Sequence, residues 1–280
     1  MSARANTSQV AAPPARFRLR VRFSKGGRLA YLGHLELIHT IERCIRRAAL
    51  PYAVSQGFSP HMRIGYTSAL PVGTSSSCEF YDVFLTDLVP APEALGRLRA
   101  ATPGDIAPRA AAYIDLREPA LTAQISRIDY EVRIAWRDGL APEPGALDRA
   151  LAAVRALDEI PYLRGRKRKV LDVGRTLASL SCPSATGEGA VLELVTRCDN
   201  EGSLRPEIAL AALDRLLAGA DPADGSITST GMPALSRIAD WRVERTGQYI
   251  EDGDGPMRSP LPLGPEGEAA RAVARALGNL

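Results

Sequence analysis

The chain has 280 residues, 35 of them Lys or Arg and 32 Asp or Glu, for a net charge of only +3. That length suits two domains, each large enough to bury a core, and a composition of 45% apolar and 24% charged residues excludes wholesale disorder. No apolar run reaches 18 residues, which excludes a helical membrane span, and the opening stretch lacks the apolar segment of a secretory signal, so a cytoplasmic protein is expected.

Residues 1–15 read as a flexible tail. In FRLRVRF, Phe17, Leu19, Val21 and Phe23 alternate with Arg18, Arg20 and Arg22, the period of a half-buried strand. After the turn KGG, a helix is predicted from about Gly33 to Leu50, with Gly33 at its N-cap and Glu36 at the third helical position. Its apolar stripe is Leu37, Ile38, Ile41, Cys44, Ile45 and Ala48, which leaves Arg43, Arg46 and Arg47 on the opposite side. A short strand near Tyr52–Val54 precedes a Gly/Pro-punctuated stretch. Then come a strand (Glu79–Thr86), a helix (Ala91–Ala101) and a strand within Ile106–Leu116.

Residues 117–127 read as a linker or short connecting helix, after which the pattern restarts. Tyr130, Val132, Ile134 and Trp136 mark a strand, Gly145–Leu157 a helix and the RGRKRK segment a strand pair. A strand follows at Val191–Thr196, then a helix at Pro206–Ala218 with Pro at its first position and Gly219 just past its end. A last strand is placed within Leu235–Val243. Each half thus reads β-α-β, β-α-β, and the predicted fold is α+β: two tandem ferredoxin-like (βαββαβ) sandwiches. The N-terminal domain would span residues 16–117 and the C-terminal one 128–250, with 251–280 forming a Gly/Pro loop and a short terminal helix, Glu266–Leu277. In this topology the first strand is central, and Arg18, Arg20 and Arg22 fall on a sheet face left open by the helices.

The small net charge hides a segregation. Residues 16–63 hold ten basic residues and two acids, net +8; residues 164–175 hold six and one, net +5; the remainder carries −10. Such segregation is a footprint for a polyanion, most often nucleic acid. Three like charges about 7 Å apart along one strand face need compensation. Asp82 on the neighbouring strand can pair with one of the β-strand arginines, and an RNA backbone would serve the rest. Phe80 and Phe84, alternating with Asp82, either stack bases or lie under the second domain. Five charges in six residues, Arg164, Arg166, Lys167, Arg168 and Lys169, on a hairpin tip or exposed strand form the densest basic signal.

In SQGFSPH, Gly57 and Pro60 bracket a tight turn, with Phe58 expected to anchor it on the core. Such a turn gathers Ser55, His61 and Arg63 at one spot. It would grip a phosphate through backbone N–H groups and an arginine, or else serve as a solvated structural turn. Four cysteines, Cys44, Cys78, Cys182 and Cys198, lie 34, 104 and 16 residues apart with no CxxC pair, so no iron–sulfur or zinc site is predicted. The histidines, only His34, His39 and His61, show no metal-ligand spacing. No GxxxxGKS, GxGxxG or GxSxG motif occurs. No metal and no cofactor are therefore expected in this chain. His34 leans toward the apolar stripe as a hydrogen-bonded structural residue; as weak catalytic candidates, His34 and His61 would be the bases of a metal-independent endoribonuclease.

The blocks GHLE (Gly33–Glu36), ERCIRRAALP, SQGFSPHMRI (Ser55–Ile64), ALPVG (Ala69–Gly73) and SSCEFYD (Ser76–Asp82), with weaker matches through RKVLDV and LRPEIALAAL, carry a resemblance over most of residues 17–250. The chain resembles a bacterial domain family of unknown function associated with radical S-adenosylmethionine (radical SAM) proteins. It is similar to the members encoded apart from the radical enzyme, and Gly33 stands where the family commonly has Ser. With the charge segregation, the resemblance implies an accessory protein, non-catalytic on its own. It would bind RNA (tRNA or rRNA) or present substrate to a radical SAM enzyme on a separate chain. An endoribonuclease of tandem ferredoxin-like type, or a protein-interaction scaffold without nucleic acid, are the alternatives.

Overall fold

A computed structural model describes residues 14–198, 202–225, 227–229, 235–251 and 257–261. The elements, in chain order, are β1 (Phe17–Lys25), α1 (His34–Arg47), β2 (Ile64–Tyr66), β3 (Ser75–Leu85), α2 (Ala91–Ala101) and β4 (Pro108–Ile114). There follow α3 (Leu121–Gln124), β5 (Arg127–Trp136), α4 (Ala146–Arg155), β6 (Glu159–Arg164), β7 (Lys167–Asp172), α5 (Val173–Thr176), β8 (Leu177–Ala185), β9 (Gly189–Arg197), α6 (Pro206–Leu217), β10 (Ile227–Thr228) and β11 (Ile238–Tyr249). The expected terminal helix and nearly all of the N-terminal tail lie outside the described residues.

The protein is mixed α/β, built on one large sheet. Its strands run β4-β1-β3-β11-β5-β9-β8, with β2 beside β3, and a separate three-stranded sheet runs β10-β6-β7. β1 is central to the N-terminal half, antiparallel to β3 (Arg20 opposite Asp82) and to β4 (Arg20 opposite Ala112). β5 holds the same place in the C-terminal half, between β11 and β9. Instead of ending as two sheets, the halves are joined where the first residues of β3 run parallel to β11, Ser75 opposite Glu244 and Ser76 opposite Arg245.

The alternation of β1 sends Phe17, Leu19, Val21 and Phe23 into a core with Leu37, Ile41 and Ile45 of α1 and Tyr81, Val83 and Leu85 of β3. Each such fully buried side chain contributes about 1.5–3 kcal/mol. α1 starts where predicted: the Gly33 N–H donates to Glu36 Oε2 at 2.8 Å, half of a capping box, since glycine has no side chain to reciprocate. The second core joins Ile128, Tyr130, Val132, Ile134 and Trp136 of β5 to Leu147, Leu151 and Val154 of α4 and the buried side of α6.

Two expectations are corrected by the fold. The second face of the N-terminal sheet is not open: Phe80 and Ala112 are buried on it with Leu121 and Ile125 of the connecting segment and with Leu261. The RGRKRK strand pair does not sit in the main sheet either. It forms the smaller one, and β8, which no alternation in the sequence announces, takes the place beside β9.

Candidate nucleic-acid interface

The β1 arginines divide. Arg20 is only 2% exposed and Arg18 4%. Both meet Asp82: Arg18 Nε at 3.0 Å from Oδ2, Arg20 Nε at 2.7 Å from Oδ1 and Arg20 Nη2 at 2.9 Å from Oδ2. The remaining N–H groups go to the covering chain. Arg18 donates to the carbonyls of Glu118 and Pro119, and Arg20 to the Pro260 carbonyl at 2.8 Å and to Gln124 Oε1 at 3.0 Å. Neither guanidinium is free to meet a phosphate, so Arg18 and Arg20 leave the predicted anion-binding set: one carboxylate serves both, and carbonyls supply what the polyanion was invoked for. Arg22 is half-buried and donates to the Ser77 carbonyl at 3.2 Å.

The predicted turn stands at the edge of the N-terminal half. Tyr52 bridges to Leu85 and Val54 to Met62, the Ser55 N–H donates to the His61 carbonyl at 2.8 Å, and the Arg63 N–H donates to the Ala53 carbonyl at 2.9 Å. Ser55 Oγ accepts from the His61 N–H at 3.2 Å and lies 3.0 Å from His61 Nδ1, which is also 3.3 Å from the Ser59 carbonyl oxygen. Nδ1 is thus engaged inside the turn, and Nε2 is the ring nitrogen left for a ligand. Ser55 and His61 touch at this turn, whereas Arg63 joins its base through the backbone and sends its guanidinium over Phe84. Gly57 carries no positive φ, so its lack of a Cβ is not required by the backbone there. Phe58 does the opposite of anchoring: its side chain is fully exposed, at 106% of the reference value.

Cations flank this turn on both sheet faces. Arg63 lies with its guanidinium 4.5 Å from the centroid of Phe84, whose ring also lies 5.3 Å from Arg18. Phe84 is therefore occupied by arginines, and Phe80, buried, is closed to any base. On the helix side, Arg46 lies 6.0 Å over Tyr52 and 3.8 Å from Glu42. Arg43 donates to Thr40 Oγ1 at 3.1 Å. Arg43, Arg46 and Arg47 lie on the polar side of the helix, as the spacing predicted.

The other basic segment is a hairpin. β6 and β7 pair from Glu159–Asp172 to Arg164–Lys167, leaving Gly165-Arg166 as a two-residue turn. Gly165 has φ +61°, the left-handed value that a tight hairpin turn demands and that favours glycine. Arg164, Arg166, Lys167, Arg168 and Lys169 are all exposed, and none forms an ion pair among the described residues. β7 has a partner on one side only, so it is the sheet's edge. Strand alternation puts Arg164, Lys167 and Lys169 on one face with the half-buried Tyr162.

The remaining family blocks meet elsewhere. His34 rests edge-on against Tyr66, ring centroids 6.2 Å apart. His61 is five residues of largely extended chain, about 16 Å, from Tyr66, so the two histidines sit at different ends of this edge. The Gly73 N–H donates to the Ala30 carbonyl at 3.1 Å. Buried Lys25 donates to the Ala30 and Leu32 carbonyls at 2.7 and 3.1 Å, one within the short 3₁₀ turn Gly27–Tyr31 and one at its C-cap. Beside it Glu79 pairs with Arg245 at 3.1 Å and accepts from Thr67 Oγ1 at 2.9 Å; Gln248 Nε2 donates to the Cys78 carbonyl at 2.7 Å. Burial pulls the Lys25 pKa down, against the field of Glu79.

Spacing and charge counts did not reveal this network, yet it left a signal. Glu79 falls on the β3 face otherwise taken by Tyr81, Val83 and Leu85, and a charge at an apolar position announces a buried partner. Burial pushes the Cys78 thiol up to about 12, so it is not a thiolate nucleophile at neutral pH. Among the described residues, no group of three or more His, Cys, Asp or Glu is placed to hold a metal ion, and no helix is long and apolar enough to cross a membrane.

Comparison with known proteins adds a family. A family model described as uncharacterized protein conserved in bacteria (DUF2344) matches residues 18–206. No curated protein matches the chain. Among solved structures it is similar to a chain of a Cbf5-Nop10-Gar1 complex, with TM-score 0.43 and 8% identity over 82% of this chain and 48% of that one. It is also similar to a chain of an archaeal box H/ACA sRNP Nop10-Cbf5 complex, with TM-score 0.37 and 9% identity over 81% and 46%. The protein spans about half the length of these chains, and overlaps this loose carry no argument about its role.

Proposed function

We propose that this chain, which belongs to the family of uncharacterized proteins conserved in bacteria (DUF2344), is an RNA-binding accessory protein of the cytoplasm, non-catalytic on its own. Residues 16–117 and 128–250 serve as two ferredoxin-like halves, a reading supported by the matching strand orders β4-β1-β3-β2 and β11-β5-β9-β8. The single observation that carries the RNA reading is the β6–β7 hairpin. Five exposed cations crowd its tip without an ion-pair partner among the described residues, and Arg164 stands directly across from Lys167. Like charges opposite one another in a ladder destabilise it. One or two lysines are enough to guard an edge strand against pairing; five exceed that need, and a polyanion relieves their repulsion. Arg43, Arg46, Arg47 and Arg63 supply a second contact region.

The resemblance to radical SAM-associated proteins supports a separate radical SAM enzyme as the partner, with this chain holding or presenting the RNA. Co-purification of the two from cells that encode both is the expected result for that partnership.

The RNA reading is tested by titrating RNA oligonucleotides at several salt concentrations. Binding should be measurable at low salt and fall steeply as salt rises. Replacing Arg164, Arg166, Lys167, Arg168 and Lys169 by Gln should flatten the log–log salt slope by about 0.7 for each phosphate of a single strand that the variant no longer neutralises. Absence of binding at low salt, or an unchanged slope in the variant, overturns the proposal.

A further inference from the structure

The exposed ring of Phe58 is the feature the fold does not explain. Burying a phenylalanine is worth about 1.5–3 kcal/mol, and the fold forgoes all of it at this position. The ring is not on a loose end. It caps a turn whose base is fixed by the Val54–Met62 bridge, by the Ser55 N–H to His61 carbonyl bond at 2.8 Å and by the Ser55–His61 side-chain contact at 3.0 Å, with Ala53 and Met62 buried beneath. A fixed stem presenting an aromatic ring to solvent is a recognition device, since both ordering and exposure have been accepted in the free protein.

The surroundings choose the ligand. Residues 50–66 contain no Asp or Glu. The nearest carboxylates along the chain, Glu42 and Glu79, pair with Arg46 and Arg245, and Asp82, opposite Gly65 in the sheet, pairs with Arg18 and Arg20. Arg63 spends one guanidinium face on Phe84 and forms no ion pair among the described residues, so its N–H edge is available to an anion. An exposed aromatic ring three residues from an imidazole with Nε2 uncommitted and five from an arginine, in a stretch without an acid, matches a base flanked by phosphates. It does not match a cationic peptide, and a single ring is too little apolar area to hold a membrane. The base must be unstacked, because in a duplex both of its faces are covered.

We propose that Phe58 is a stacking platform for an unpaired base of single-stranded RNA, with Arg63 and His61 taking the phosphates beside it. This rests on the RNA reading above and narrows it to single-stranded segments. It also moves aromatic recognition from the sheet face, where Phe80 and Phe84 are occupied, to the edge turn.

The test compares a labelled 12-nucleotide RNA with the same sequence as a 12-base-pair duplex, binding to the full chain and to Phe58→Ala and Phe58→Tyr. Phe58→Ala should weaken single-strand binding roughly 5- to 150-fold, the range for loss of one stacked base. Phe58→Tyr should bind as the wild type does, and the salt slope should be unchanged in both. Duplex binding should not respond to either substitution. A Phe58→Trp variant, read as the difference from the wild-type emission, should be quenched by the single strand. Equal weakening on single strand and duplex, or no weakening, overturns the stacking role while leaving steeply salt-dependent RNA binding in place. Absence of any RNA binding by the wild type removes both proposals. A blue shift of the Phe58→Trp emission on 3:1 phosphatidylcholine:phosphatidylserine vesicles, without quenching by RNA, would overturn this inference in favour of a membrane contact.

Discussion

Asp82 is 1% exposed and faces two guanidiniums, so its removal leaves two buried positive charges with only carbonyls for company. Breaking a buried ion pair from one side costs about 3–5 kcal/mol. Asp82→Asn should therefore lower the unfolding free energy by about that much in a denaturant titration, whereas Asp87→Asn, at an exposed position just past β3, should stay within about 0.5 kcal/mol. The alternation of FRLRVRF identified which residues share a face with Asp82. It carried no information about what lies over that face, because the covering residues, Glu118, Pro119, Gln124 and Pro260, come from 100 to 240 positions away. Phe58 illustrates the reverse error. Aromatics in turns usually find a core, and only the arrangement of the stem shows that this one points away from it.

Among the elements, α2 matches its predicted bounds and α1, α4 and α6 fall within a few residues of theirs, because each carries an apolar stripe at helical spacing and a stop signal. β8 was invisible. Its pairing with β9 shifts register twice, between Leu177 and Ser179 and between Ser181 and Ser184, and each shift breaks the alternation by which a strand is recognised. β9 offers a sharper test of the ladder. A Cβ on Gly189 would sit 2.1 Å from the Ile134 carbonyl oxygen, a backbone atom that cannot turn aside, while one on Gly187, two residues earlier, meets nothing within 4 Å. Gly189→Ala should cost about 1–3 kcal/mol of stability, as overpacking does. Gly187→Ala should be near neutral, and thermal unfolding of the two variants side by side checks it.

For the molecule as a whole, the decisive contact is the parallel pairing of β3 with β11, over which Arg245 reaches Glu79 at 3.1 Å and the Ser68 carbonyl at 3.1 Å. This ion pair is buried on both sides and ties the first half of the chain to its last strand. The two halves should consequently unfold together. Emission from Trp136 and Trp241, both in the C-terminal half, should give the same denaturation midpoint as far-ultraviolet circular dichroism, which sees both halves. Arg245→Met should separate the two midpoints, because it removes the charge pair and leaves Glu79 buried beside Lys25. Coincident midpoints in the variant would show that the sheet junction couples the halves without the ion pair.

From sequence alone came the period of every helix longer than one turn and of strands such as β1 and β5, the repetition of β-α-β order in the two halves, and the concentration of positive charge in residues 16–63 and 164–175. These follow from spacing and composition, which are local and survive without knowing what is near in space. Tertiary structure decided which of those charges reach solvent. Arg18 and Arg20 are taken into the interior, because a carboxylate and carbonyls distant in sequence were close enough to replace water around them, and Lys25 is taken in by the Ala30 and Leu32 carbonyls of the turn that follows it. Arg43, Arg46, Arg47, Arg63 and the five cations of the β6–β7 hairpin stay outside, where no such replacement is at hand. Burial is set by long-range neighbours, so a charge legible in one dimension becomes a surface only once the chain has folded.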